Sequence, residues 1–127
     1  MTPEELNALG TQMLDAAFRV HTSLGPGLLE SAYVACLVYK LRSRGFDVKI
    51  EVPVIYEGVK LADVGYRIDL LVENELIVEV KALEGIAPVH LAQLVSYLKL
   101  AQRRLGYLLN FNVEHLRDEV YRRVNRL

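Results

Sequence analysis

At Gly45 the spacing of apolar residues changes from one in three or four to one in two, so the chain must join a helical segment to a sheet. Before that point Leu6, Leu9, Met13, Ala17 and Val20 recur at helical spacing. They follow a start signal of Thr2, Pro3 and Glu5, which predicts a helix over Thr2 to Leu24. Gly25-Pro26-Gly27 breaks it. A second helix is expected from Leu28 to Arg44, closed by Gly45, with Leu29, Ala32, Cys36, Leu37 and Leu41 toward the core. After Gly45, Phe46, Val48, Ile50, Val52 and Val54 alternate with charged residues as in a half-buried strand. Pro53 inside that run assigns it to a sheet edge or a bulge.

A turn at Glu57-Gly58 leads to an extended stretch from Val59. Strands are expected over Tyr66–Val72 and Leu76–Lys81, a third helix over Val89–Arg104 behind Pro88, and a buried strand over Leu105–Phe111. Val113 to Leu127 reads either as helix or as a short helix followed by a strand near Val120–Val124. The order α-α-β-β-β-β-α-β indicates an α/β sandwich with a mostly antiparallel first half.

Length and charge narrow the class. A chain of 127 residues, 52% hydrophobic, suits one domain over residues 1–127 with its own core. The formal net charge of −1 excludes the bulk basicity of a histone-like protein. The single cysteine, Cys36, excludes a disulfide framework and a thiolate zinc site, and is expected as a buried apolar residue. No apolar run is long enough to span a bilayer, and the first residues lack a signal-peptide layout, so a cytoplasmic protein without membrane contact is expected. The charge is uneven. Residues 99–127 carry seven basic and three acidic groups, against eight basic and thirteen acidic before them. That permits an acidic site and a basic, polyanion-facing rim on one molecule.

The chemistry concentrates between Arg67 and Lys81. Glu79 and Lys81 are two apart on one strand, so both face the same way. If Glu73, Asn74 and Glu75 form a three-residue loop, Val72 pairs with Leu76 and Asp69 lies opposite Glu79 on that face. A two-residue loop would send Asp69 to the other face. In the first register two carboxylates and an ammonium group converge, an arrangement that suits a hard divalent ion such as Mg²⁺. An exposed ion pair on a solvent-facing hairpin is the plainer reading of the same alternation.

Asp69, nine residues and then Glu79-Val80-Lys81 resembles the PD-(D/E)xK nuclease superfamily. Gly27, Glu30 and Tyr33 match the GxxExxY signature of one of its small-protein subfamilies, and Gln93 and Tyr97 resemble the QxxxY element of exonuclease-like members. No proline precedes Asp69, where Ile68 stands. The resemblance implies a restriction-endonuclease-like α/β sandwich, a mixed central sheet flanked by helices. It implies a metal-dependent nuclease using Mg²⁺, with Mn²⁺ as substitute, and nucleic acid as partner. Asp69, Glu79 and the Val80 carbonyl would bind metal, Glu30 would reach the metal or its water, and Lys81 would be the catalytic lysine. Gln93, Tyr97 and Tyr33 would line the substrate site. The alternative is a catalytically silent nucleic-acid or protein interaction module on the same fold, for which small size and modest charge also fit a homo-oligomer or larger assembly.

Overall fold

A computed structural model describes residues 1–127. The first helix, α1 (Pro3–Leu24), starts as its sequence directs. The Thr2 hydroxyl accepts the Glu5 N–H at 3.1 Å while the Glu5 carboxylate accepts the Thr2 N–H at 2.9 Å, so two otherwise orphaned donors are satisfied together. The apolar stripe from Leu6 to Val20 is buried throughout. The second helix, α2 (Glu30–Ser43), begins two residues later than expected and buries a different stripe: Tyr33, Leu37, Val38 and Leu41. Residues four apart stack on one helix face. Cys36, one position and hence about 100° away from Leu37, is therefore exposed and not in the core, and Leu29 lies outside the helix and in solvent.

Three α-helices and seven strands build the molecule. After the two helices come β1 (Val48–Pro53), a small hairpin of β2 (Ile55–Tyr56) and β3 (Val59–Lys60), then β4 (Arg67–Val72) and β5 (Leu76–Lys81). α3 (Pro88–Ala101), β6 (Leu105–Asn110) and β7 (Val120–Val124) complete the chain. The main sheet has the order β1-β4-β5-β6-β7. Only β5 and β6 are parallel, joined through the α3 crossover that a parallel pair requires. These two central strands are buried almost end to end because helices cover both faces, which explains why they are apolar apart from Glu79 and Lys81 on β5 and Asn110 on β6. α1 and α2 cover one face and α3 the other, dividing the core into two apolar clusters. β1 is an edge strand, where Pro53 is tolerated, and Ile50 on it is exposed. The tail takes the second of its two expected forms, a 3₁₀ turn at Leu116–Glu119 followed by β7.

The hairpin register is the one on which the site depends. Val72 pairs with Leu76, Leu71 with Ile77 and Leu70 with Val78, leaving Glu73-Asn74-Glu75 as the loop. Glu73 and Asn74 both take positive φ, 52° and 56°, and the Glu75 N–H donates to the Val72 carbonyl at 3.0 Å. Two successive left-handed residues match the twist of the flanking strands. Contacts with Asp47, one from the Glu73 N–H at 2.8 Å and one to its carboxylate at 3.0 Å, tie this loop to the start of β1.

The seating of α3 depends on Gly106. A Cβ placed there would lie 2.9 Å from Leu94 Cδ1 and 3.3 Å from Leu98 Cδ2, so the glycine lets the helix approach β6 closely. Gly106→Ala should force α3 outward and cost about 1–3 kcal/mol, as overpacking of a tight core does. Thermal unfolding should show a lower Tm, and an unchanged Tm would mean that α3 has slack on the sheet.

Candidate active site

Asp69 is the one residue of β4 absent from the pairing on both sides. The ladder to β5 ends at Leu70–Val78, and the ladder to β1 skips from Ile50–Leu70 to Val52–Ile68. Where backbone bonds to β5 would continue, side chains replace them. The Asp69 N–H donates to Glu79 Oε2 at 2.8 Å and the Val80 N–H donates to Asp69 Oδ2 at 2.9 Å. Each carboxylate thus holds an amide on the opposite strand. Asp69 and Glu79 are brought together as the three-residue loop requires, and each keeps one oxygen without a protein hydrogen bond. Glu79 is only 3% exposed, which rules out the solvent-facing ion pair.

Burial and charge act on this pair in the same direction. Burial, then the Asp69 charge, pushes Glu79 from an ordinary 4.5 up to about 8, against the pull of the Asp69 N–H and of Lys81. Asp69 is raised mainly by burial and further by Glu51, while the Val80 N–H and Lys81 draw it down. Glu30, at the first position of α2, is raised by partial burial and by Asp69, and lowered by Lys81. These mutual influences place Glu30, Asp69, Glu79 and Lys81 within one electrostatic field. Lys81 itself has no carboxylate within 4.0 Å, so its ammonium group is not spent on an ion pair.

A loop fastened from three sides positions Glu30. The Tyr33 hydroxyl accepts the Leu28 N–H at 3.1 Å and donates to the Gly25 carbonyl at 2.6 Å, while the Gly27 N–H donates to Asn112 Oδ1 at 3.2 Å. Gly27 takes φ 102°, which a side chain would resist. The ring of Tyr33 is fully buried and stacked on Phe111 at 4.7 Å between centroids. Tyr33 therefore orders the loop before α2, with its ring enclosed in the core.

The other expected residues sit on α3. Tyr97 is raised to about 12, first by burial and then by the charges of Glu79 and Asp69. Gln93 joins Tyr97, His90, Tyr66 and Leu61 in lining a groove of about 560 Å³ on that side of the sheet. His90 Nδ1 accepts the Ala87 N–H at 2.9 Å and so caps the helix. On the α2 side a groove of about 320 Å³ exposes Asp69 between Glu30 and Glu51.

Three contributors were missed in the sequence. Glu51 comes beside Asp69 only through the β1–β4 pairing and takes φ 50° where that ladder skips. Asn110, fully buried, binds both the N–H and the carbonyl of Leu83 at 3.0 Å and so holds the chain just after Lys81. His21 Nε2 reaches the carbonyls of Phe111 and Val113, at 3.2 and 2.8 Å, on the segment that also carries Asn112. An interrupted apolar strand was the only signal for Asn110, and neither Glu51 nor His21 had one.

With this geometry in hand, comparison with known families is decisive. A family model of the PD-(D/E)XK nuclease superfamily matches residues 7–124. The chain belongs to that superfamily. Its five-stranded mixed sheet between helices is accordingly a restriction-endonuclease-like fold. Neither the comparison with curated proteins nor that with solved structures returns a match. Superfamily nucleases generally use divalent metals. In this chain no three His, Cys, Asp or Glu side chains are grouped to hold an ion. Two carboxylates with uncommitted oxygens nevertheless fit Mg²⁺, which is commonly held by one or two carboxylates with water completing its shell. A cation there would also favour the charged forms that burial disfavours in both groups.

The buried pair makes a pH prediction in the absence of divalent ions. Between pH 4.5 and about 8 the folded state keeps a proton on Glu79 that the unfolded chain releases, so this group withdraws stability as pH rises through that window. Glu79→Gln removes the effect while keeping an acceptor for the Asp69 N–H. Its Tm relative to wild type should therefore be higher at pH 8.5 than at pH 5, and a difference independent of pH would contradict the assignment.

Proposed function

We propose that this domain hydrolyses phosphodiester bonds in nucleic acid at the Asp69–Glu79–Lys81 cluster, with a divalent ion, Mg²⁺ or Mn²⁺, as cofactor. The observation that carries the reading is the pair of amide-to-carboxylate bonds across the strands, Asp69 N–H to Glu79 and Val80 N–H to Asp69, beside an unpaired Lys81. One oxygen of each carboxylate is locked to the backbone, which fixes where the other points, so the acidic pair is preorganised. Asp69 and Glu79 would hold the ion, and Glu30 would reach it or a water in its shell. In an extended strand the N–H and C=O of one residue point to the same edge, so the Val80 carbonyl faces the side where Asp69 takes the Val80 N–H. This supports Val80 as a further ligand. A bound ion would lower the pKa of a water and neutralise charge on the phosphoryl oxygens.

The remaining roles belong to the chain's own groups. Lys81 lies on the same strand face as Glu79 and directs a positive charge toward the reacting phosphate, where negative charge builds in the transition state. Tyr97, kept protonated first by burial and then by its acidic neighbours, can donate a hydrogen bond to a phosphate oxygen, and Gln93 can orient the substrate along the same groove. Within the superfamily, the Gly27, Glu30 and Tyr33 spacing favours the GxxExxY branch. The fastening of the loop by Tyr33 gives that spacing a physical purpose, since it presents Glu30 to the site.

Lys81→Ala separates catalysis from binding. A group aimed at developing charge contributes to the barrier far more than to the ground state. Cleavage should fall about 10²–10³-fold, as for loss of one transition-state donor, with metal and nucleic-acid affinity retained. Asp69→Asn should instead lose the metal. The assay should scan Mg²⁺ and Mn²⁺ against single- and double-stranded DNA and RNA. Identical background from wild type and Lys81→Ala on every substrate would replace this reading with the silent interaction module.

A further inference from the structure

The basic residues near the C-terminus do not form one surface. Arg122 and Arg123 are consecutive on β7 and so face opposite sides of the sheet, and Arg122 is bonded to Asn7 of α1 at 2.7 Å. A different subset converges. Lys99 in the last turn of α3, Arg104 before β6 and Arg126 after β7 surround a recess of about 450 Å³ together with the amides of Gln102 and Asn125. Its lining contains no apolar and no acidic side chain. None of the three cations has a carboxylate within 4.0 Å, although Arg19 and Arg44 both pair with Asp15.

The recess has a fixed frame. Asn125 Nδ2 donates to the carbonyls of Leu98 and Arg103 at 3.3 and 3.1 Å, and the Asn125 N–H donates to the Arg104 carbonyl at 2.9 Å. Arg104 is held by one bond to the Met1 carbonyl at 2.6 Å, which leaves its other N–H groups for a ligand. Arg103, whose guanidinium donates to the Ala101 carbonyl at 2.6 Å and to Asn74 Oδ1 at 3.1 Å, is outside the lining. Cations gathered without counter-charge repel one another, and an anion between them removes that cost. Guanidinium and ammonium groups beside amide donors match the several acceptor oxygens of phosphate.

The position separates this recess from the acidic pair. Leu105 pairs with Leu76 at one end of the parallel strands and Asn110 with Lys81 at the other, five residues or roughly 17 Å away. A small ligand in the recess cannot touch both places, whereas a strand running along α3 can. We propose that this recess is a phosphate-binding site, independent of the acidic pair, that takes consecutive phosphates of a nucleic-acid backbone or of a free oligophosphate. The proposal holds whether or not the acidic pair cleaves anything.

The test uses the full chain in EDTA, with a labelled single-stranded 12-nucleotide DNA and with tripolyphosphate as separate probes. Lys99→Ala/Arg126→Ala changes two exposed side chains, and Lys40→Ala/Lys60→Ala removes the same charge elsewhere. Loss of two phosphate contacts should lower the slope of log affinity against log salt by about 1.4 for a single strand. DNA affinity should fall at least tenfold in the first variant and less than twofold in the control, with Tm unchanged. Tripolyphosphate displacing DNA from wild type identifies the backbone as the ligand. Tripolyphosphate bound in a Lys99- and Arg126-dependent way without any DNA binding supports the site and identifies a free oligophosphate. Equal affinity and salt slope in wild type and variant for both probes would overturn it. Failure of the nuclease reading would show separately, in cleavage and in metal binding.

Discussion

The geometry of the site depends on two bonds across the β4–β5 opening, from the Asp69 N–H to the Glu79 carboxylate and from the Val80 N–H to the Asp69 carboxylate. A sheet that continued its ladder past Leu70–Val78 would place backbone groups where two carboxylates now converge. By accepting the Asp69 and Val80 N–H groups, the side chains keep those buried donors satisfied without closing the gap. These bonds also stop the two carboxylates from turning away from each other. Burial is the main reason that both are raised, with the Asp69 charge adding to it at Glu79 and the Glu51 charge at Asp69.

Around that opening the rest of the fold acts as a set of supports. α2 delivers Glu30 from one side through a loop tied by Tyr33 and Asn112, and α3 delivers Tyr97 and Gln93 from the other. Gly106 sets how close α3 comes to the sheet. Asn110 clamps the chain where it leaves the sheet just beyond Lys81. Acidic groups gather at one end of the central strands and unpaired basic groups at the other, a polarity invisible in a net charge of −1.

What was legible in the sequence was local. The Thr2–Glu5 cap, the stripe of α1 and the Val72–Leu76 register depend on residues a few positions apart, and from that register the convergence of Asp69, Glu79 and Lys81 follows. What was not legible depends on partners distant in the chain. Glu51 nears Asp69 only because β1 pairs with β4, and no spacing in β1 distinguishes it from a solvent-facing glutamate. Cys36 was misplaced because two helical stripes of similar apolarity compete on α2, and packing against the sheet chose Tyr33, Leu37 and Leu41. The C-terminal arginines looked like one cluster because sequence proximity conceals the alternation of a strand.

The claim that Asp69 and Glu79 form a divalent-ion site is tested most directly by anomalous diffraction from crystals soaked in Mn²⁺. The account predicts a peak between the two carboxylates, touching the oxygen of each that is not bonded to the backbone. Full Mn²⁺ exposure with no peak there, or with a peak only at other acidic residues, would contradict it.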